Sequence, residues 1–250
     1  MNQTKKNIKG LILAGGAGKR LHPITKIISK QLLPVYNKPM IYYPLTILIN
    51  SGITEIMIIT TREDQESFKH LLGNGEEWGV KISYKIQEKP EGIAQSLLIA
   101  EDWIDSSSVA LILGDNLFFG AGLNKKIIQA IENNNGATIF CIKVNDPERF
   151  GVIDVDKDLN ILSIKEKPKK PNSNWAITGL YIYDSKASSY ARNLKKSSRG
   201  EYEITDINLK YLDSNNLKVE FLDDTNFSWL DTGTFDSLLE ASNFIKNNSK

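Results

Sequence analysis

Several features are scarce in this sequence of 250 residues, and each absence narrows the class of protein. The single cysteine, Cys141, excludes an internal disulfide and favours a reducing compartment. No apolar run approaches the length of about 18 residues that a membrane-spanning helix needs. The segment 1–9 is polar and lacks the apolar core of a signal peptide. These absences predict a cytoplasmic protein with no membrane partner.

An excess of charge is also missing. The 31 Lys and Arg residues nearly balance the 30 Asp and Glu residues, so the formal net charge is +1. A balanced surface produces no long-range field that attracts nucleic acid, and any binding of an anion must therefore be local. The chain has no low-complexity linker and no internal repeat, and its length is enough for one large α/β domain with a sizeable core.

A glycine-rich stretch near the start is the most informative feature. An apolar run at 8–13 predicts a buried strand, and it is followed by Ala-Gly-Gly-Ala-Gly-Lys-Arg-Leu at 14–21. Glycines at a strand end let backbone N–H groups approach a polyanion, and Arg20 adds a planar fork of donors. The stretch fits neither the Walker loop, which needs Ser or Thr after Lys19, nor the dinucleotide fingerprint, which needs glycine in place of Leu21. An ordinary tight turn is the alternative.

A second motif, Lys-Gln-Leu-Leu-Pro-Val, follows the glycine-rich stretch at 30–35. Together they resemble the sugar-phosphate nucleotidyltransferase family, and within it the glucose-1-phosphate thymidylyltransferases. That family shows Leu-Ala-Gly-Gly-x-Gly-Thr-Arg-Leu-x-Pro followed by Lys-Gln-Leu-Leu-Pro-Val. Every position matches except Lys19, which replaces a threonine of the phosphate-binding loop. The resemblance extends over 8–245.

The hydrophobic pattern of the first half alternates between strands and helices. It predicts strands at 53–60, 80–86, 109–113 and 137–144, and helices at 64–72, 91–104 and 123–133. Such alternation is typical of an α/β fold with a Rossmann-like, doubly wound and mostly parallel sheet. Sites in such sheets lie beyond the carboxyl ends of the strands, where the glycine-rich stretch and Asp115 both fall.

The second half is more mixed. It predicts a hairpin of 151–155 and 161–165, a strand at 176–183, and helices at 204–212 and 235–245. The resemblance implies that about 8–145 bind the nucleotide and about 146–250 bind the sugar, on one core. We therefore expect a single domain over 1–250.

The resemblance implies a reaction. It is the Mg²⁺-dependent transfer of thymidylyl from dTTP to α-D-glucose 1-phosphate, which gives dTDP-glucose and pyrophosphate for deoxysugar and polysaccharide synthesis. The attacking phosphate is already an anion, so the protein has to neutralise and align like charges rather than supply a base. The same chemistry with UTP or another triphosphate, and a non-catalytic sensor of sugar nucleotides, remain alternatives.

Two aspartates are candidates for metal binding. Asp115 follows the predicted strand 109–113 in Gly-Asp-Asn, and Asp231 lies between an apolar strand and a helix start in Trp-Leu-Asp-Thr-Gly-Thr. Either could simply cap a turn or a helix. The resemblance implies that both bind one Mg²⁺, an ion that takes a few carboxylate oxygens and completes its shell with phosphate and water.

The resemblance also assigns the remaining site residues. The side chain of Gln87 offers a donor and an acceptor to one edge of a pyrimidine, in a Gln-x-x-Pro-x-Gly-Ile-Ala-Gln pattern. The residues assigned to catalysis are Arg20, Lys30 and Lys167. Those assigned to the nucleotide are Leu13, Gly15, Gly16, Gly18, Lys19, Arg20, Gln87, Pro90, Gly92 and Asp115.

The sugar pocket is assigned by resemblance to Asn116, Gly151, Glu166, Lys167, Ile177 and Tyr181. Phe150 stands where the family usually has tyrosine, which removes one possible polar contact with the sugar. Longer members of the family continue beyond the helix at 235–245 with a regulatory site, so we expect weak or missing feedback inhibition by the end-product sugar nucleotide. A homo-oligomer, tetramer or dimer, is expected as well.

Overall fold

The computed structural model describes residues 7–16, 18–223 and 225–248, so most of the segment 1–9 and Ala17 of the glycine-rich stretch lie outside the described residues. The strands are β1 Ile8–Ala14, β2 Pro34–Val35, β3 Lys38–Pro39, β4 Glu55–Thr60, β5 Lys81–Ile86, β6 Ser108–Leu113, β7 Asn116–Gly120, β8 Ala137–Lys143, β9 Gly151–Val155, β10 Ile161–Glu166, β11 Trp175–Tyr183, β12 Leu217–Leu222 and β13 Phe227–Asp231.

The helices are α1 Tyr42–Asn50, α2 Gln65–Leu72, α3 Gln95–Ile99, α4 Glu101–Ile104, α5 Leu123–Asn133, α6 Ala187–Arg192, α7 Ile204–Asp213 and α8 Phe235–Asn248. The prediction for 123–133 matches α5, because its buried residues recur at helical spacing on one face. The single helix predicted over 91–104 is wrong. Helical structure begins only at Gln95, and it is interrupted at Ala100. No helix in the described ranges is long and apolar enough to cross a membrane.

One mixed sheet organises the molecule. Strands β6, β1, β4 and β5 are parallel neighbours in that order, and β11 pairs antiparallel with β6. Beyond β11 the sheet continues through β8 to β12, while the β9–β10 hairpin joins the other edge of β11. The predicted α/β class with a mostly parallel sheet is confirmed.

Side chains of the sheet feed two hydrophobic cores. Neighbouring residues of a strand point to opposite faces, so Leu11 and Ile12 of β1 enter different cores. Helices α1, α2 and α5 contribute to the core with Ile12, and α3, α4, α6 and α7 to the core with Leu11. Because helices cover both faces, the sheet is doubly wound, and its exposed edge of loops is left for a site.

A two-stranded ribbon outside the main sheet positions the residues after β6. Strands β7 and β13 pair antiparallel, with Asn116 opposite Asp231. Helix α8 follows directly and buries Ala241 and Ile245 against Val35, Met40 and Leu117. The ribbon therefore brings two segments more than a hundred residues apart in sequence to the carboxyl end of β6.

Candidate active site

A cavity of about 410 Å³ opens at the carboxyl ends of β1 and β6. Strand β11 runs antiparallel to β6, so its early residues also reach this edge and line the cavity from the side. Ten of the residues predicted from sequence line it: Gly16, Arg20, Asp115, Asn116, Gly151, Glu166, Lys167, Ile177, Tyr181 and Asp231.

The two candidate metal ligands lie side by side in this cavity. Asp231 is opposite the residue after Asp115 in the ribbon, and the hydroxyl of Thr232 donates to the backbone carbonyl of Asp115 at 3.0 Å. Burial and the nearby negative charge of Asp115 raise the pKa of Asp231 above its usual value. The two carboxylates are thus close enough to interact, which the sequence could not establish.

Lys30 neutralises the first of these acids. Its ammonium Nζ donates to Oδ2 of Asp115 at 2.6 Å, and only 5% of the lysine is exposed. Burial works against ionisation of Asp115, but the charge and hydrogen bond of Lys30 outweigh it and hold the pKa of Asp115 below its usual value. Lys30 lies behind Asp115 rather than in the cavity wall, so any action on a substrate passes through that carboxylate or follows its displacement.

Two arginines face the second acid. Nη2 of Arg149 donates to Oδ2 of Asp231 at 3.0 Å, and Nη1 donates to Asp146 at 2.5 Å. Arg20 passes beside Gly233, where a Cβ atom would lie 2.6 to 2.9 Å from the guanidinium. The positive charges of Lys30, Arg20 and Arg149 each lower the pKa of Asp231, in opposition to its burial and to Asp115. A cationic wall therefore surrounds the pair of acids.

Asn116 joins the acids to the sheet. Its Nδ2 donates to Oδ1 of Asp115 at 2.9 Å, while its Oδ1 accepts from the backbone of Gly179 at 3.0 Å and from Nε1 of Trp229 at 2.7 Å. It is only 3% exposed. We predicted a contact with the sugar for this residue, and the structure gives its amide a further task, the orientation of Asp115.

The glycine-rich loop follows β1 directly, as predicted. Gly16 lines the cavity, and a Cβ atom there would meet no atom within 4 Å, which leaves open space for a ligand. Gly18 adopts a φ of +57°, a left-handed conformation that favours glycine, and its carbonyl accepts from the hydroxyl of Thr25 at 2.8 Å. Leu13 lies at the end of β1, and Lys19 is exposed at the start of the single helical turn Lys19–Leu21.

The predicted base-binding turn lies beside this loop, after β5. Gln87 is 3% exposed, and its Oε1 lies 2.2 Å from the place where a Cβ atom of Gly15 would stand. A side chain at 15 would therefore have to displace the amide of Gln87. Gly92, with a φ of +103°, packs so tightly against the backbone of Tyr202 that a Cβ atom would lie 2.4 Å from its carbonyl oxygen. Pro90 is exposed between them.

The far end of the cavity is rich in carboxylates. Oε2 of Glu166 accepts from the hydroxyl of Thr205 at 2.6 Å, and Arg199 contacts Glu166 at 3.5 Å and Glu203 at 3.3 Å. Lys167 stands at the boundary with a φ of +41°, and its side chain is 47% exposed. A left-handed backbone conformation is uncommon for a residue other than glycine and costs conformational energy. Such strained residues are often found at functional sites. This end offers acceptors for hydroxyl groups.

Apolar and aromatic side chains form the floor of the same end. Ile177 and Tyr181 are buried in β11, and burial, together with the charge of Glu166, raises the pKa of Tyr181 far above its usual value. Gly151 pairs with Glu166 in the β9–β10 hairpin. The ring of Phe150 meets Trp229 edge to face at 4.8 Å between centroids. Phe150 is therefore a packing partner of the residue that donates to Asn116.

Sequence reasoning missed three of the lining residues that carry polar groups: Arg149, Arg199 and Trp229. Arg199 lies in Arg-Gly-Glu-Tyr-Glu before α7, and Arg149 precedes Phe150, both in turns where arginine is usually solvated. Their positions beside motifs already recognised could have identified these residues. The partner of Arg149, Asp231, could not be inferred because it is 82 residues away in the chain.

The donors present decide which metal the site could hold. Among the residues that the structure describes, no group of three or more His, Cys, Asp or Glu side chains converges as a metal cage. Two carboxylates with an open face toward a cavity instead suit Mg²⁺, which keeps several waters and is completed by substrate phosphates. Asp115 and Asp231 fit that description.

Comparison with known proteins agrees with this geometry. The Nucleotidyl transferase family matches residues 9–248. A glucose-1-phosphate thymidylyltransferase of Neisseria meningitidis is 51% identical over 96% of this chain and 83% of its own length, and one of Xanthomonas campestris is 54% identical over 95% and 80%. A Bacillus anthracis structure described as a glucose-1-phosphate thymidylyltransferase in complex with sucrose has a TM-score of 0.89, with 43% identity and 96% of both chains covered. The chain belongs to the nucleotidyl transferase family.

Proposed function

We propose that this protein is a glucose-1-phosphate thymidylyltransferase. It transfers thymidylyl from dTTP to α-D-glucose 1-phosphate and releases pyrophosphate and dTDP-glucose, a precursor for deoxysugar and polysaccharide synthesis. The names of relatives that are 51% and 54% identical over nearly the whole chain support the substrates. The observation that carries the chemistry is the convergence of Asp115 and Asp231, surrounded by cations, in a cavity that continues to Glu166 and Lys167.

The reaction is an in-line displacement at phosphorus. An oxygen of the sugar phosphate forms a bond to the α-phosphorus of the triphosphate. The bond between that phosphorus and the oxygen that links it to the β-phosphorus breaks, and pyrophosphate leaves. No proton has to be removed from the nucleophile, so charge neutralisation and alignment supply the catalysis. We assign Arg20 to the triphosphate and Lys167 to the phosphate of the sugar, because both line the cavity.

Mg²⁺ is the cofactor in this proposal, held by Asp115 and Asp231. When bound, it would supply positive charge that neutralises the negative charge developing on the leaving group. Lys30 keeps Asp115 ionised before the ion arrives, and Arg149 orients Asp231. Arg149 holds Oδ2 of Asp231, while Lys30 and Asn116 hold one carboxylate oxygen each of Asp115.

The base and the sugar have separate binding sites in this proposal. We assign the base to the turn that carries Gln87, beside the glycine-rich loop, and the hydroxyl groups of glucose to Glu166 and the nearby backbone. On this division 8–145 bind the nucleotide and 146–250 the sugar, within one domain. The single, fully buried Cys141 is consistent with a cytoplasmic enzyme, and we expect a homo-oligomer.

Turnover with each triphosphate tests the assignment. Purified protein with Mg²⁺ and glucose 1-phosphate is expected to release pyrophosphate faster with dTTP than with UTP, and to stop when the metal is chelated. Equal or faster turnover with UTP would make this a uridylyltransferase of the same chemistry. No turnover with any triphosphate would favour a non-catalytic sensor of sugar nucleotides. Such a sensor usually lacks a metal-binding aspartate or a phosphate-binding cation, whereas this chain has all five: Arg20, Lys30, Asp115, Lys167 and Asp231.

A further inference from the structure

The base-binding turn ends in a second glutamine, Gln95. It is the first residue of α3. Its side-chain Oε1 accepts two hydrogen bonds, from Nε2 of Gln87 at 2.6 Å and from the backbone N–H of Glu91 at 3.1 Å. Its Nε2 donates to Oε2 of Glu91 at 3.1 Å. The amide of Gln95 is therefore held at both of its ends.

These contacts allow only one orientation of the Gln95 amide. The oxygen and nitrogen of a side-chain amide are nearly the same in shape, so the hydrogen-bond partners have to decide which is which. The backbone N–H of Glu91 can only donate, and its ionised carboxylate can only accept. Both are satisfied only when Oε1 of Gln95 faces the backbone of Glu91 and therefore also faces Gln87.

The orientation of Gln87 follows from that of Gln95. Because Gln95 presents an oxygen, Gln87 has to present its Nε2, and its own Oε1 is left on the side of Gly15. Gln87 is 3% exposed, so a reversed amide would bring two oxygens together in a buried place where water cannot compensate. Leaving such a buried group unpaired costs about 1–3 kcal/mol.

Lys196 and Tyr202 hold Glu91 in turn. The other carboxylate oxygen of Glu91, Oε1, accepts from Nζ of Lys196 at 2.5 Å, and its backbone carbonyl accepts from the N–H of Tyr202 at 2.7 Å. The ammonium of Lys196 also lies over the ring of Tyr202 at 5.4 Å. The hydrogen-bonded chain from Lys196 through Glu91 and Gln95 to Gln87 is thus fixed to a distant segment.

We propose that Gln95 is a positioning residue that makes the nucleotide site select bases with a hydrogen atom on ring nitrogen N3. The inference rests on the proposed function, in which Gln87 contacts the base. The fixed Oε1 of Gln87 accepts from the N3–H of thymine or uracil. The N3 atom of cytosine carries no hydrogen and is itself an acceptor, so it is repelled. Because thymine and uracil share the N3–H group, Gln95 does not separate dTTP from UTP.

The replacement Gln95→Leu tests this inference. Leucine is similar in size but cannot hydrogen-bond, so the amide of Gln87 becomes free to reverse and to donate toward cytosine. We expect the ratio of kcat/KM for dTTP to that for dCTP to fall at least tenfold, roughly the loss of one oriented hydrogen bond. The ratio for dTTP to UTP should stay the same. A merely structural defect would lower all three values in proportion.

An exchange of the two side chains provides the rescue. In the double variant Glu91→Gln with Gln95→Glu, the carboxylate at 95 accepts from Gln87 while the amide at 91 donates to it and accepts from Lys196. We expect discrimination against dCTP to return to within about threefold of the original protein. A dTTP to dCTP ratio that is unchanged in Gln95→Leu, or not restored by the exchange, overturns the inference. Absence of turnover with any triphosphate in the unaltered protein overturns the proposed function instead.

Discussion

Replacement of Asp231 by asparagine is expected to lower kcat by roughly 1000-fold, because one of two anionic metal ligands is lost. The same change is expected to raise the free energy of unfolding at pH 7. Burial and the charge of Asp115 raise the pKa of Asp231, so the folded protein disfavours its ionised form. The resulting cost in stability is absent at low pH and appears as the pH rises through the raised pKa. Steady-state kinetics and denaturant unfolding measure both effects.

Asp223 offers the matched control. It is exposed, it does not line the cavity, and hydrogen bonds from Thr225 and Asn226 hold its pKa below the usual value. Asp223→Asn should therefore leave turnover unchanged and lower stability slightly, the opposite pattern. If Asp231→Asn retained turnover within tenfold of the original protein, the metal role of Asp231 would be wrong.

Replacement of Lys30 by methionine is expected to cost about 3 kcal/mol of stability at neutral pH, because it leaves the carboxylate of Asp115 without its buried partner. Turnover should fall by a factor similar to that for Asp231→Asn. Since Lys30 holds the pKa of Asp115 down, the stability that it contributes is present above the ordinary aspartate pKa of about 4 and is lost as the pH falls below it. The difference in stability between the two proteins should therefore shrink on acidification.

A double variant separates the loss of stability from the loss of turnover. Lys30→Met with Asp115→Asn removes both charges, so most of the lost stability should return while turnover stays low. Urea unfolding at pH 7 and pH 3 and initial rates at saturating Mg²⁺ would be compared for the single and double variants. A single variant as stable as the original protein would mean that the 2.6 Å contact contributes little.

Much of the fold could be predicted because its signals are local. The apolar runs that became β1, β4, β6 and β8 are buried on both faces, and they read as continuous hydrophobic stretches. Strand β12 escaped prediction, because Leu-Lys-Val-Glu-Phe-Leu lies at a sheet edge, most of its residues are only partly buried, and two of the six are charged. The helix predicted over 91–104 was too long, because the turn at 91–94 is held by the backbone of Tyr202 rather than by helical bonds.

The charged residues of the candidate site could be predicted from the sequence, but which cation contacts which acid could not. The motifs identified Asp115, Asp231 and Lys30, since each lies in a pattern shared with a known family. Which cation faces which acid depends on contacts between segments far apart in the chain, such as Lys30 with Asp115 at 85 residues of separation. For the same reason the amide of Asn116 was assigned to the sugar, although its partners are Asp115, Gly179 and Trp229.

In the proposed function, Asp115 and Asp231 share one metal ion with the triphosphate. A crystal grown with Mn²⁺ and a non-hydrolysable analogue of dTTP, measured at the manganese absorption edge, tests this arrangement. We predict one anomalous peak between the two carboxylates, with oxygen atoms of both acids about 2 Å from the ion. A peak that contacts the phosphates alone, or no peak between the two acids, would contradict the account.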